Sequence, residues 1–176
     1  MHTPTPSMTG HAAPESPPVA AAEARAVAPL RVSDLGAVAR SRLLTVTAQA
    51  PLVEVAALLS SAQISVVVVT DLAGAAVGVI TETVLVKRLG LGQADFFTTC
   101  AGDVMLREFT VCAPDDLLSD VLARMHERGL IHVVLVDASH TPLGVVNARD
   151  GLRALLAAGN HEEALLRNYV MGIGYQ

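Results

Sequence analysis

Asn147, Arg149 and Asp150 lie together in the run GVVNARDGL, where a β-branched stretch ends and Leu152, Leu155 and Leu156 begin to recur at helical spacing. The pattern predicts a strand that gives way to a helix at Asn147. A helix start presents free backbone N–H groups and the positive end of the dipole, a setting that suits an anion. Asn147 and Asp150, three residues apart, equally fit a variant capping box in which each side chain satisfies one end of the first turn. No catalytic constellation accompanies them: the chain has no GxSxG, HExxH or phosphate-binding P-loop, and Ser60-Ser61 lack the partners nucleophilic catalysis needs. His126, His132 and His140 fall on different elements at irregular spacing, and Cys100 and Cys112 are too far apart for a CxxC site. Neither an enzyme nor a metal centre is expected.

The elements that hold these residues occur twice. Ile131–Asp150 reads as strand, polar turn, strand and helix start, and Ile64–Val84 has the same layout. Asp71 answers to Asp137, Gly78 to Gly144, Thr81 to Asn147 and Val84 to Asp150, all at one offset. Each copy is preceded by a short strand and an amphipathic helix. The first has Leu43–Thr47, then Pro51 and a helix carrying Leu52, Val55, Ala56 and Leu59. The second has Phe109–Cys112, then a helix opened by Pro114-Asp115-Asp116 and carrying Leu118, Val121, Leu122 and Met125, with one extra residue expected in the intervening loop. Asp103-Val104-Met105 echoes Asp34-Leu35 ahead of each strand. The order is β-α-β-β-α, twice.

The boundaries follow from composition. Residues 1–30 hold six of the nine prolines and no apolar period, so they read as a disordered arm in which Ala20–Val27 could form a transient helix. The first unit spans 31–92, its last helix running from about Thr81 to Leu89 and closed by Gly90 and Gly92. The second spans 93–159, with Phe96-Phe97 in the link as an anchor. In the tail, 160–176, Leu165, Leu166, Tyr169 and Val170 would form one helical stripe ended by Gly172 and Gly174.

A net charge of −5 gives no basic face for nucleic acid. The most apolar window, Ile64–Thr81, contains Asp71, Gly74 and Gly78, so it reads as two buried strands around a turn and not as a membrane span. The start of the chain has no basic region followed by an apolar core, so no secretory signal is expected, and two reduced cysteines suit a cytoplasmic protein.

Both halves resemble cystathionine β-synthase (CBS) domains, and the whole resembles a stand-alone CBS-domain pair. The resemblance rests on VVVVTDLAGAAVGVITE and HVVLVDASHTPLGVVNARD, preceded by LLTVTAQAPLVEVAALL and FTVCAPDDLLSDVLARM, and covers about residues 31–158. It implies an α/β (α+β) fold of two β-α-β-β-α units packed through their sheets about a pseudo-twofold axis. It also implies clefts that take AMP, ADP, ATP or S-adenosylmethionine, a homodimer, and regulation of a separate, unidentified protein partner. The alternative is a structural dimerisation module with no ligand. Under the resemblance Asn147 and Asp150 occupy the ribose-contacting positions, a carboxylate being able to accept both vicinal hydroxyls. His132 and Arg149 occupy positions that could face a phosphate. The first half departs from the pattern: Thr81 keeps the hydroxyl, but Val84 replaces the Asp and no basic residue stands near Ser65 or Val66. One competent site at most is expected.

Overall fold

The computed structural model describes residues 28–62, 64–92 and 95–159. A 3-10 turn at Val32–Leu35 runs into α1 (Gly36–Ser41). Then follow β1 (Thr45–Thr47), α2 (Leu52–Ala62), β2 (Val66–Thr70), β3 (Ala76–Thr81) and α3 (Glu82–Gly90). The second set is α4 (Ala101–Val104), β4 (Val111–Cys112), α5 (Leu118–Glu127), β5 (His132–Val136), β6 (Pro142–Asn147) and α6 (residues 148–159). The expected arm helix at Ala20–Val27 and the tail stripe lie outside the described residues.

Each half builds one three-stranded sheet, β1-β2-β3 and β4-β5-β6, with the first pair parallel and the second antiparallel. The β-branched runs form strands buried on both faces. Val66, Val68, Ala76 and Val79 meet Val134, Val136 and Val145 in a shared layer between the two sheets. The alternate residues Val67, Val69 and Ile80 face outward onto Leu52, Val55 and Leu59 of α2. Val133, Leu135 and Val146 likewise face Leu118, Val121, Leu122 and Met125 of α5. In each hairpin one aspartate holds the turn. Asp71 Oδ1 accepts the N–H groups of Ala73 and Ala75 (both 2.9 Å), and Asp137 Oδ1 those of Ser139 and Thr141 (2.8 and 2.9 Å). The left-handed turn position is Gly74 (φ 86°) in the first hairpin and His140 (φ 62°) in the second.

The halves exchange their leading segments. Val32, Leu35 and Ala39 precede β1 but are buried in the α5 core of the second half. Val32 N–H donates to Asp116 C=O (3.0 Å), Ser33 N–H to Pro114 C=O (2.9 Å) and Leu118 N–H to Leu30 C=O (2.9 Å). Reciprocally, Ala101 and Val104 precede β4 but complete the first half's core. There Ala101 N–H donates to Ala50 C=O (2.8 Å), and Leu106 exchanges two backbone bonds with Val79 (2.9 and 3.0 Å). Burying a side chain such as Val32 or Leu35 contributes about 1.5–3 kcal/mol, so the crossing segments are clamped, not merely adjacent. The exchange is not perfectly symmetric. Ala76 N–H donates to His140 C=O (2.9 Å), but the equivalent of Ala76 is Pro142, which has no N–H to return.

Two local expectations are corrected. Pro114-Asp115-Asp116 does not open α5, which begins at Leu118 with no side-chain cap. Asp116 turns back to accept Ala113 N–H (3.1 Å) and faces Arg124 (3.3 Å), an arrangement that satisfies it outside the helix. The extra loop residue is also absent, because α2 and α5 begin 66 residues apart, the same offset as Asp71 and Asp137. Of the aromatic pair, Phe96 packs on the first half's core while Phe97 is exposed.

Candidate ligand cleft

β3 and β6 both end where a helix begins, and between these two corners lies a cleft of about 1090 Å³. Its wall includes Thr81 and Glu82 from the first corner and His132, Asn147, Arg149 and Arg153 from the second.

The second corner is tied together by sheet register. His132 opens β5 directly opposite Asn147 at the end of β6, which puts both side chains on one face. Asn147 Oδ1 accepts Arg149 N–H (2.9 Å), capping the first turn of α6. That bond orients the amide so that its Nδ2 donates to His132 Nε2 at 3.1 Å. The imidazole proton is thereby assigned to Nδ1. Burial holds the His132 pKa below the ordinary histidine value; the Arg42 charge lowers it further and Glu82 opposes the shift. His132 is therefore a neutral ring at pH 7.

Asp150 does not reach back to cap its own helix. Its Oδ2 accepts Arg42 Nε at 2.5 Å, and its side chain is only 11% exposed. Arg42 lies just after α1, its own N–H donating to Ala39 C=O (3.2 Å), on the segment that crosses over to the second half. Arg42 lines the cleft and Asp150 does not. The cleft thus gathers Thr81, His132, Asn147 and Arg149, while Asp150 stands behind Arg42.

The first corner is chemically thinner. Val66 takes the position of His132, opposite Thr81, and Val84 packs into the first half's core. Thr81 precedes α3 without a side-chain capping bond. Arg42 was not apparent from the chain alone, since its partner is 108 residues away. Its counterpart at the repeat offset is Glu108, also in the cleft wall, and that reversal of charge between equivalent positions is the one sequence trace of it. Among the described residues no group of three His, Cys, Asp or Glu is placed to hold a metal, and no helix is long and apolar enough to cross a membrane.

No curated protein matches the chain. Solved structures do. A CBS-domain containing protein from Agrobacterium tumefaciens is 24% identical with a TM-score of 0.62, covering 70% of this chain and 92% of its own. The CBS domain pair of protein MJ0100, in complex with 5′-methylthioadenosine and S-adenosyl-L-methionine, is 21% identical (TM-score 0.62; 72% and 99% covered). CBSX2, known from Arabidopsis thaliana, is 21% identical in its complex with AMP (TM-score 0.63; 73% and 98% covered). The CBS domain itself matches twice, over residues 32–90 and 101–157. The chain belongs to the CBS domain family and carries two such domains in tandem.

Proposed function

We infer that this CBS pair is a ligand-sensing regulatory module that binds one adenosine-containing ligand, AMP, ADP, ATP or S-adenosylmethionine, at the second corner of the cleft. The observation that carries this is the convergence there of Asn147, His132, Arg149 and Arg42, which holds Asp150 behind it, against a first corner where Val66 and Val84 replace His132 and Asp150. Asp150 supplies the acceptor for the ribose diol, Asn147 an amide beside it, and Arg149 with His132 the phosphate-facing groups. The complexes of MJ0100 and CBSX2 support an adenosyl ligand class. Binding would act by favouring one arrangement of the two halves, which the exchanged leading segments couple, and so modulate a separate protein. Exposed Val86 and Leu89 on α3 support a homodimer, and the free cysteines Cys100 and Cys112 support a cytoplasmic location.

A structural module that takes no ligand is the second reading. It is favoured by the self-satisfied polar groups, since Asp150 already has Arg42 and Asn147 already has both its partners. Calorimetric titration separates the two readings. Wild-type protein should bind AMP, and 2′,3′-dideoxy-AMP should bind tenfold to a hundredfold more weakly, as expected for ~1.5–3 kcal/mol of hydrogen bonding to a charged acceptor. Val84→Ala should leave both affinities unchanged. Absence of binding by AMP, ADP, ATP and S-adenosylmethionine alike would establish the structural reading.

A further inference from the structure

Arg42 sits where the two halves join, with α1 packed against the second half before it and β1 of the first half after it. Its contact with Asp150 uses Nε and leaves the two terminal nitrogens without a protein partner among the described residues. Arg42 lines the cleft and Asp150 does not, so a group entering there meets Arg42, whose Nε holds the little-exposed carboxylate.

Moving it has a chemical condition attached. A carboxylate this little exposed is strongly destabilised when its partner is removed and nothing replaces it. Whatever displaces Arg42 must therefore bring donors for Asp150, and a vicinal diol brings two O–H groups. The released guanidinium needs an acceptor in turn, and a phosphate matches its fork of N–H groups with paired oxygens. The cleft wall sets Arg42, Arg149 and Arg153 against two carboxylates, Glu82 and Glu108, so further positive charge is unwelcome beside Arg42.

Building on the adenosyl-ligand reading, we propose that Arg42 is a partner-exchange residue that selects ribonucleosides carrying an anionic 5′ group. In the free protein Arg42 holds Asp150. On binding, the ribose hydroxyls take Asp150 and the 5′-phosphate takes Arg42, so no charge is left unpaired. A nucleoside replaces only one of the two partners, and an adenosyl sulfonium adds a positive charge where a negative one is required. Both are rejected relative to AMP. Since Arg42 also closes α1, the exchange is transmitted to the segment that clamps the halves together.

The test is calorimetric titration of the full chain and of Arg42→Met with adenosine, AMP and S-adenosylmethionine. Wild type should prefer AMP to adenosine by roughly tenfold or more, as for a charge-assisted bidentate contact. In Arg42→Met adenosine should bind more tightly than in wild type, AMP more weakly, and the preference should collapse. Arg42→Lys, which keeps the charge but loses the fork of N–H groups, should lower the preference part-way and serves as the second variant if Arg42→Met does not fold. An unchanged AMP-to-adenosine ratio, or a parallel loss for every ligand, would overturn the exchange and reduce Arg42 to a support for Asp150 while leaving the ligand site standing. Failure of all three ligands to bind either protein would overturn the exchange together with the site.

Discussion

Gly144 and Gly78 occupy equivalent positions in β6 and β3, yet a methyl group at each would meet very different neighbours. At Gly144 an added Cβ would lie 2.7 Å from the Ala39 carbonyl carbon and 2.9 Å from both its Cβ and its oxygen. That neighbour is backbone of α1, which is pinned by the burial of Val32, Leu35 and Ala39 in the second half. At Gly78 the nearest atoms are Sδ and Cγ of Met105, at 2.5 and 2.8 Å. A methionine can re-rotamer; a clamped helix cannot. Overpacking costs typically 1–3 kcal/mol, and replacing a strand glycine by alanine returns about 0.5–1 kcal/mol of chain entropy. With backbone as the neighbour, Gly144→Ala lies at the top of that overpacking range and should lose about 2 kcal/mol net, and Gly78→Ala less than about 1 kcal/mol. For a chain of this size 2 kcal/mol is a fall of roughly 4–8 °C in Tm. Urea denaturation gives the comparison directly, with m unchanged if the unfolded state is unaltered. Gly144→Ala proving no more costly than Gly78→Ala would refute the tight docking of α1 on β6, and with it the coupling assigned to the crossed segments.

Further outcomes follow from titratable groups. The lowered pKa of His132 means the unfolded chain takes up that proton first as pH falls, so its contribution to stability is complete above about pH 6.5 and is lost as pH drops through the folded value. His132→Gln should flatten the decline in Tm between pH 7.5 and 5.5, and an identical decline in the variant would remove His132 as its cause. Cys112 is pushed up to about 12 by burial, reinforced by the Asp116 charge and partly opposed by Arg124. In native protein at pH 7.5 a thiol reagent should therefore modify only Cys100, which is partly exposed, with Cys112 reacting at the rate of unfolding. Two thiols reacting together without denaturant would contradict that burial.

Much of the fold was legible because it is local and repeated. Asp71 and Asp137 are followed at the same distances by the N–H groups they accept, and the alternating valines of β2 and β5 must be buried on both faces. Asn147 as a helix cap was equally readable from its place after a β-branched run. What could not be read is what joins distant parts of the chain. Val32 and Leu35 are too short a stretch to carry a period, so nothing in them says that they belong to α5 and not to the adjacent α2. Asp115-Asp116 resembles a helix start, yet a backbone N–H three residues earlier captures Asp116 first. Asp150 looks like either a cap or a ligand group until Arg42 arrives from 108 residues away.

The stoichiometry of AMP binding shows whether the second corner alone takes a ligand. A chain with one complete corner, holding His132, Asn147 and Asp150, and one corner where Val66 and Val84 stand in place of the polar groups should saturate at one AMP per chain in calorimetric titration. Saturation at two per chain, or no heat of binding at millimolar AMP, would contradict a single adenosyl site at the second corner.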